Sequence, residues 1–299
     1  MLTLPAPLKL NLFLHVTGRR ADGYHTLETV FQLLDHGDVL QFDPAGPGLA
    51  LTCNEPSLLT EDNLVLRAAR LLQPHARRPA QCRIHLDKRV PAGSGLGGGS
   101  SDAATTLLGL NALWDCGLDI PSLCSLGLQL GADVPVFVNG HGALATGVGE
   151  ILENQPLPEH WYLVLTPSCH LSTREIFQHP ELTRNGGSTT MRAFPFWGSR
   201  NDCEAVAFQL FPQVAQAKNW LARQIAASAD VPDTPWVRGR MTGTGSSVFA
   251  SFTRRESAEA VLAKLRLERQ HFDPGCRGFV AQAVNRSPLQ QALAAQSGA

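Results

Sequence analysis

The chain has 299 residues, 43% of them hydrophobic and 17% charged, with a formal net charge of −1. These are the proportions of a folded protein large enough for two domains, or one large one, and they exclude a disordered chain. No stretch approaches the roughly eighteen continuous apolar residues of a membrane span, and the balanced charge lacks the footprint of a nucleic-acid binder.

The seven cysteines lie far apart with no C-x-x-C pair, which argues against a disulfide framework or a zinc site and reads as thiols in a reducing compartment. The first residues lack the basic and long apolar regions of a secretory signal, so a cytoplasmic protein is expected.

In chain order, Leu8, Leu10, Leu12, Leu14 and Val16 alternate with Lys9, Asn11, Phe13 and His15, the period of a strand with one buried face. Lys9 and Asn11 should then share the opposite, exposed face. Polar clusters at residues 19–23 and 35–38 are read as turns of an antiparallel meander. Residues 63–72 have helical spacing, and Cys82, Ile84 and Leu86 form a further strand. After a glycine loop, Ala103, Leu107, Leu110 and Trp114 recur at helical intervals. Residues 121–130 form another helix, which Gly131 should end as a left-handed cap, with Asp133 just beyond it.

A domain change is expected near 150–160, dividing the chain into 1–155 and 156–299. In the second half, residues 161–165 read as a strand, and Ser172-Thr173-Arg174-Glu175 has capping-box spacing before a short helix holding Phe177. A helix over 212–226, a lead from Val237 into a second glycine loop, a strand over 248–252, a helix over 257–265 and a strand over 279–284 follow, then a polar tail. Strands and helices mix without regular βαβ alternation, which favours an α+β fold.

Glycine is informative by position. Of 27 glycines, seven fall in two hydroxyl-rich loops: Gly93, Gly95, Gly97, Gly98 and Gly99 in one, and Gly243 and Gly245 in the other. The first follows a strand and opens a helix, so unshielded N–H groups and the helix dipole make a site for phosphate oxygens. Ser100 and Ser101 stand ready to meet phosphate or its magnesium. Gly93-x-Gly95-x-x-Gly98 satisfies the dinucleotide fingerprint literally, but that motif belongs to the first strand of an α/β domain, and the P-loop lysine is missing.

Three segments together resemble the GHMP kinase superfamily: Pro7-Leu8-Lys9-Leu10-Asn11-Leu12-Phe13-Leu14, the loop from Pro91 through Ala104, and Met241 through Phe249. The run Gly18-Arg19-Arg20-Ala21-Asp22-Gly23-Tyr24-His25, the loop from Gly95 through Ala104 and Gly131-Ala132-Asp133-Val134-Pro135 are similar to the branch of that superfamily acting on a cytidine-diphosphate-linked methylerythritol. The resemblance implies two α+β domains, an amino-terminal one like ribosomal S5 domain 2 and a ferredoxin-like carboxy-terminal one, with ATP and Mg²⁺ in the cleft. It implies transfer of the γ-phosphoryl group of ATP to the 2-hydroxyl of the methylerythritol. Lys9 and Asp133 fall on the catalytic positions; Asn11, Tyr24, His25 and Phe177 on substrate positions; Asn63, Lys88, Pro91, Leu96, Ser100, Ser101 and the seven loop glycines on ATP positions. Ser94, Thr242 and Thr244 depart mildly from the usual residues.

The expected ligands are small molecules, with no nucleic-acid or membrane partner, and no pattern specifies an oligomeric state. Three alternatives stay open: a homoserine or mevalonate kinase, which would not need Tyr24 and His25, a dinucleotide-binding oxidoreductase, and a non-catalytic RNA-binding module. The stretch 183–200 matches no usable motif.

Overall fold

The computed structural model describes residues 1–45, 47–184, 198–235 and 239–297. Val237 and most of the unassigned stretch 183–200 lie outside the described residues. The chain opens on two long antiparallel strands, β1 (Leu2–Arg19) and β2 (His25–Asp43), paired from Leu2 opposite Phe42 to Arg19 opposite His25.

The faces of β1 differ from the alternation. Lys9 and Asn11 are each only 3% exposed. Phe31 of β2 and the first glycine loop cover the face that the pattern leaves to solvent, with Lys9 N–H donating to Leu96 O at 3.1 Å. Nor is there a turn at 35–38, because β2 runs straight through it. The polar residue that suggested a reversal is satisfied in place: the buried Asp38 carboxylate accepts from the backbone N–H groups of Arg89 and Val90 at 2.6 and 3.0 Å.

Strands β3 (Leu49–Cys53) and β4 (Cys82–Asp87) are parallel, joined through α1 (Leu64–Leu72), and β4 pairs with β2. Helices α2 (Gly98–Leu113), α3 (Ile120–Leu128) and α4 (Val134–Asn139) follow. Gly131 does not cap α3. The helix ends earlier, at Gln129, in the ordinary right-handed conformation, and the backbone passes through Gly131 N–H→Gly127 O and Val134 N–H→Gly131 O bonds directly into α4. The hairpin of β5 (Ala143–Thr146) and β6 (Ile151–Asn154) then attaches to β2.

The second half runs β7 (Trp161–Thr166), α5 (Thr173–Gln178), α6 (Glu204–Leu210), α7 (Pro212–Ala226), β8 (Arg240–Met241), β9 (Val248–Phe252), α8 (Arg255–Glu268) and β10 (Arg277–Val284). Its strands lie in the order β10-β7-β9-β8, all antiparallel. With helices after β7 and after β9, this is the βαββαβ ferredoxin-like arrangement. The fold is therefore α+β, and β10 joins the halves into one continuous sheet by pairing with both β7 and β2.

β1 contributes to three apolar clusters in succession. Leu2 and Leu4 pack with α1, α2 and β4; Leu8, Leu10 and Leu12 pack under β7 and β10; Leu14 and Val16 pack with α5, α7 and β9. Fully burying one such side chain stabilises the fold by about 1.5–3 kcal/mol. The same strand therefore fixes Lys9 and Asn11 between the two halves.

The expected polar tail is instead α9 (Pro288–Ser297), which returns to β1. Its Leu289 is fully buried in the first cluster, and its start is anchored by Ser287 N–H donating to Gly140 O at 2.9 Å. Small residues such as Ala292 and the many glutamines hid a helix whose apolar face is narrow. Replacing Leu289 by Ala should lower the unfolding free energy by about 2–5 kcal/mol in a denaturant titration. An unchanged midpoint would place α9 outside the core.

Candidate active site

The loop between β4 and α2 delivers Gly97 at the N-cap of α2 with φ of +74° and no side-chain cap. The first-turn N–H groups of Gly98, Gly99 and Ser100 thus have no acceptor within the helix and carry its positive end. They line a cavity of about 390 Å³ together with Lys9, Asn11, Asp133 and Gly243. Ser100 faces this cavity, whereas Ser101 is fully buried with its Oγ unpartnered. Pro91, Gly93 and Gly95 also line it; Leu96 is core, contributing its carbonyl to Lys9 N–H.

The ammonium of Lys9 donates to Asn11 Oδ1 at 2.6 Å and to Gly95 O at 3.1 Å, and lies 3.3 Å from Asp133 Oδ2. Asn11 is held in turn: its Nδ2 donates to Thr29 Oγ1 at 2.9 Å and its backbone N–H to Thr242 Oγ1 at 2.8 Å. Asp133 occupies the N-cap position of α4 yet makes no capping bond. Its carboxylate, 35% exposed, is free to face both Lys9 and the cavity. A short polar residue after a helix would ordinarily be spent on its own turn; here it is not.

The second glycine loop closes against the first. Ser247 N–H donates to Ser94 O at 3.0 Å, and a β-carbon on Gly95 would lie 2.5 Å from Thr242 O and 2.7 Å from Gly245 O. Asn201, which the sequence did not flag, fastens this loop by donating Nδ2 to Met241 O and Gly243 O, each at 2.8 Å. Thr173 and Thr244 share a hydroxyl contact of 3.1 Å on the cavity wall.

A second cavity, of about 660 Å³, shares Pro91, Ala92 and Ser94 with the first and is lined by Asn54, Leu58, Lys88, His170 and Ser246 among others. Lys88 is no solvated strand-end charge. Its Nζ donates to Asp38 at 2.5 Å and to Asp102 at 2.8 Å, all three side chains being buried. Burial alone pulls Lys88 down, but Asp102 and Asp38 outweigh it and hold the ammonium above its ordinary value. Burial pushes Asp102 up to about 7, against the pull of Lys88 and with the repulsion of Asp38. Asn63 stands at the N-cap of α1, with Oδ1 accepting from Val65 N–H at 2.9 Å and Nδ2 donating to Leu58 O at 2.8 Å. Its amide is engaged within its own turn, while the adjoining Leu64 reaches the first cavity.

At the far end of the first cavity, Phe177 of α5 stacks on His25 at the start of β2, with ring centroids 5.2 Å apart and planes 19° from parallel. Tyr24 is beside them and 65% exposed, so its ring is available rather than packed into the turn. The His25 imidazole lies below its ordinary value, first through burial and then through the nearby charges of Arg184 and Arg19. Arg184 carried no sequence signal, since it lies beyond α5 and reaches His25 only in space.

An uncapped, glycine-rich helix start beside a lysine-held carboxylate, on this pair of α+β halves, defines a GHMP kinase. The family described as GHMP kinases N terminal domain matches residues 63–141. The chain is 48% identical over 292 residues to a 4-diphosphocytidyl-2-C-methyl-D-erythritol kinase of Shewanella halifaxensis, spanning 97% of this chain and 96% of the relative. It is equally 48% identical, over 98% of this chain and 96% of the relative, to the enzyme of that name from Pseudomonas putida. A crystal structure of 4-(cytidine 5'-diphospho)-2C-methyl-D-erythritol kinase superposes with a TM-score of 0.75 at 32% identity, covering 94% of this chain and 99% of that one. This chain belongs to the 4-diphosphocytidyl-2-C-methyl-D-erythritol kinase family. A homoserine kinase from Cytophaga hutchinsonii, 15% identical with a TM-score of 0.68 and 96% coverage of each chain, shares the fold alone.

Four imidazoles, His15, His25, His36 and His160, lie below 6.5, each first through burial. Below 6.5 the unfolded chain takes up protons before the folded one, so their contribution to stability is present above 6.5 and lost as pH falls through the folded-state values. Asp102 acts oppositely: its folded value of about 7 lies above 3.8, so the stability it withholds at pH 7 returns on acidification. On acidification from pH 7.5 to pH 5.5 the unfolding midpoint of Asp102→Asn should therefore drop relative to that of the wild type. A variant whose midpoint gains on the wild type over that interval would contradict the assignment.

Proposed function

We propose that this chain transfers the γ-phosphoryl group of ATP to the 2-hydroxyl of 4-diphosphocytidyl-2-C-methyl-D-erythritol, a step of non-mevalonate isoprenoid precursor synthesis. The observation that carries this reading is the 3.3 Å Lys9–Asp133 pair in a cavity that starts at the N-terminus of α2 and ends at the His25–Phe177 stack. One ligand end is met by backbone donors and the other by aromatic faces.

The polyphosphate lies against the first turn of α2, whose N–H groups supply preorganised donors. The acceptor hydroxyl sits beside Asp133, which orients it and takes its proton as the oxygen bonds to the γ-phosphorus. The bond from that phosphorus to the β,γ-bridging oxygen breaks, and ADP departs with both electrons. Lys9 balances the Asp133 carboxylate and the charge spread over the transferring oxygens, while Asn11 holds Lys9 in place. Positioning and electrostatics supply most of the acceleration.

Magnesium, when bound, neutralises phosphate charge. The donor set fits it: magnesium keeps several waters and takes substrate phosphates as ligands, and the cavity adds the Ser100 hydroxyl, leaving Asp133 to the acceptor hydroxyl. The described residues hold no cluster of three or more metal-binding side chains, so phosphates would provide most ligands. Lys88, paired with two carboxylates, flanks the second cavity, where the nucleoside end of ATP would lie.

At the substrate end, Tyr24 and Phe177 supply faces for the cytosine ring and His25 an edge contact. In this reading residues 1–155 carry the ATP loop and the catalytic pair, and residues 156–299 carry Phe177 and the closing loop. The same reading makes the chain a cytoplasmic enzyme of small molecules. No helix among the described residues is long and apolar enough to cross a membrane.

Consumption of MgATP should depend on 4-diphosphocytidyl-2-C-methyl-D-erythritol; phosphorylation of homoserine or mevalonate instead would overturn the reading. Replacing Asp133 by Asn should lower kcat by about 10²–10⁴, the range for a positioned acid–base group, with folding intact. Near-normal turnover would remove Asp133 from the mechanism.

A further inference from the structure

A wall that orients a ligand needs polar groups not already spent on one another. On the side of the second cavity built by residues 54–58 and 88–89, those groups are spent. Asn54 Nδ2 donates to Lys88 O at 3.0 Å and to Asp87 Oδ1 at 3.2 Å, and its Oδ1 accepts from Lys88 N–H at 2.7 Å. Ser57 donates to Glu55 at 2.8 Å, Arg89 Nε donates to Asp87 at 2.8 Å, and Lys88 is matched by Asp38 and Asp102.

The facing side, formed by the chain that leaves β7 and by the second glycine loop, differs. His170 is exposed, lines the cavity and makes no hydrogen bond or ion pair among the described residues. Ser246, fully buried on the same wall, has an Oγ without a hydrogen-bond partner. Only the Cys169 thiol, a weak partner, stands beside it.

The imidazole of His170 also has a defined seat. A β-carbon on Gly93 would lie 2.3 Å from His170 Cε1 and 2.4 Å from Nδ1, but 3.5 Å from Nε2. The ring thus packs on Gly93 through Cε1 and Nδ1, and Nε2 is the nitrogen turned away. Gly93 lines the first cavity and His170 the second, and the two cavities share Pro91, Ala92 and Ser94. A nucleotide with its nucleoside in one and its γ-phosphate in the other crosses at this seam with its ribose and first phosphate.

Resting on the placement of ATP given above, we propose that His170 is a nucleotide contact, its Nε2–H donating to the ribose–α-phosphate stretch of ATP. An imidazole nitrogen that carries hydrogen can donate to a ribose or phosphate oxygen in the neutral and in the charged ring alike, and a bond to an anionic phosphate oxygen is the stronger kind. The nucleotide is then held from both halves of the chain, its phosphates by the start of α2 and its middle by the segment after β7. The side-chain recognition that Lys88 and Asn63 were expected to supply comes instead from the facing wall.

The test is a comparison of His170→Ala and His170→Gln with the wild type. His170→Ala should raise KM for ATP about tenfold, with kcat at saturating ATP within about threefold and KM for 4-diphosphocytidyl-2-C-methyl-D-erythritol within about twofold. The dissociation constant of adenylyl imidodiphosphate and the inhibition constant of ADP should rise by the same factor, because both keep the ribose and α-phosphate. In His170→Gln an amide N–H can reach the place of Nε2–H, so most of the affinity should return. The ring is exposed, so the unfolding midpoint without nucleotide should stay the same in both variants.

An unchanged KM for ATP in His170→Ala, an equal loss in His170→Gln, or a loss for ATP that ADP does not share overturns the contact and leaves the proposed function standing. A wild-type chain that binds adenylyl imidodiphosphate yet consumes no ATP with the cytidine substrate overturns that function, while the variants still decide the role of His170 through the analogue. A wild-type chain that binds no adenine nucleotide overturns both.

Discussion

A buried ammonium cannot be left alone. Lys9 sits on a strand covered on both sides, 3% exposed, and an isolated charge there would cost several kcal/mol unless paired and hydrogen-bonded. Its partners come from three places in the chain: Asn11 on the same strand, the Gly95 carbonyl of the phosphate loop, and Asp133 at the start of α4. Satisfying one cation therefore pins the loop, the carboxylate and the strand in a single geometry. Asn11 extends the constraint through Thr29 and Thr242, so the second glycine loop is tied to the same point.

This arrangement explains how a chain with a net charge of −1 can accommodate two anionic ligands. Positive potential is generated locally by backbone N–H groups at the start of α2 rather than by a surplus of basic side chains. Lys88, the other buried lysine near the loop, is already matched by Asp38 and Asp102, so it adds no free charge to that potential. Its place is under the helix start, where its single charge offsets carboxylate charge that would otherwise oppose phosphate binding.

The parts of this design legible in the sequence are those with local signatures. The strand of Leu8, Leu10, Leu12 and Leu14 announces itself by period two, Ser172 by its capping position, and the first glycine loop by its composition. What local pattern could not show is what lies against a surface. Alternation assigned Lys9 and Asn11 to an open face because the covering loop comes some eighty residues later. The polar run 35–38 resembled a turn because the partners of Asp38, at Lys88, Arg89 and Val90, are fifty residues away. Arg184 and Thr29 gave no motif for the same reason, and α9 was hidden by small and polar residues that keep its buried stripe narrow.

The central claim is that Lys9 and Asp133 act as one unit on the transferring phosphoryl group. A double-mutant cycle on the single-turnover rate, using Lys9→Met, Asp133→Asn and the pair, tests it most directly, since Met can fill the buried stem without leaving an uncompensated charge there. If the two act together, the double variant should be no more than about threefold slower than the slower single variant, the non-additivity expected of residues that share a task. Losses that multiply across the two sites would show that they act independently and would contradict the account.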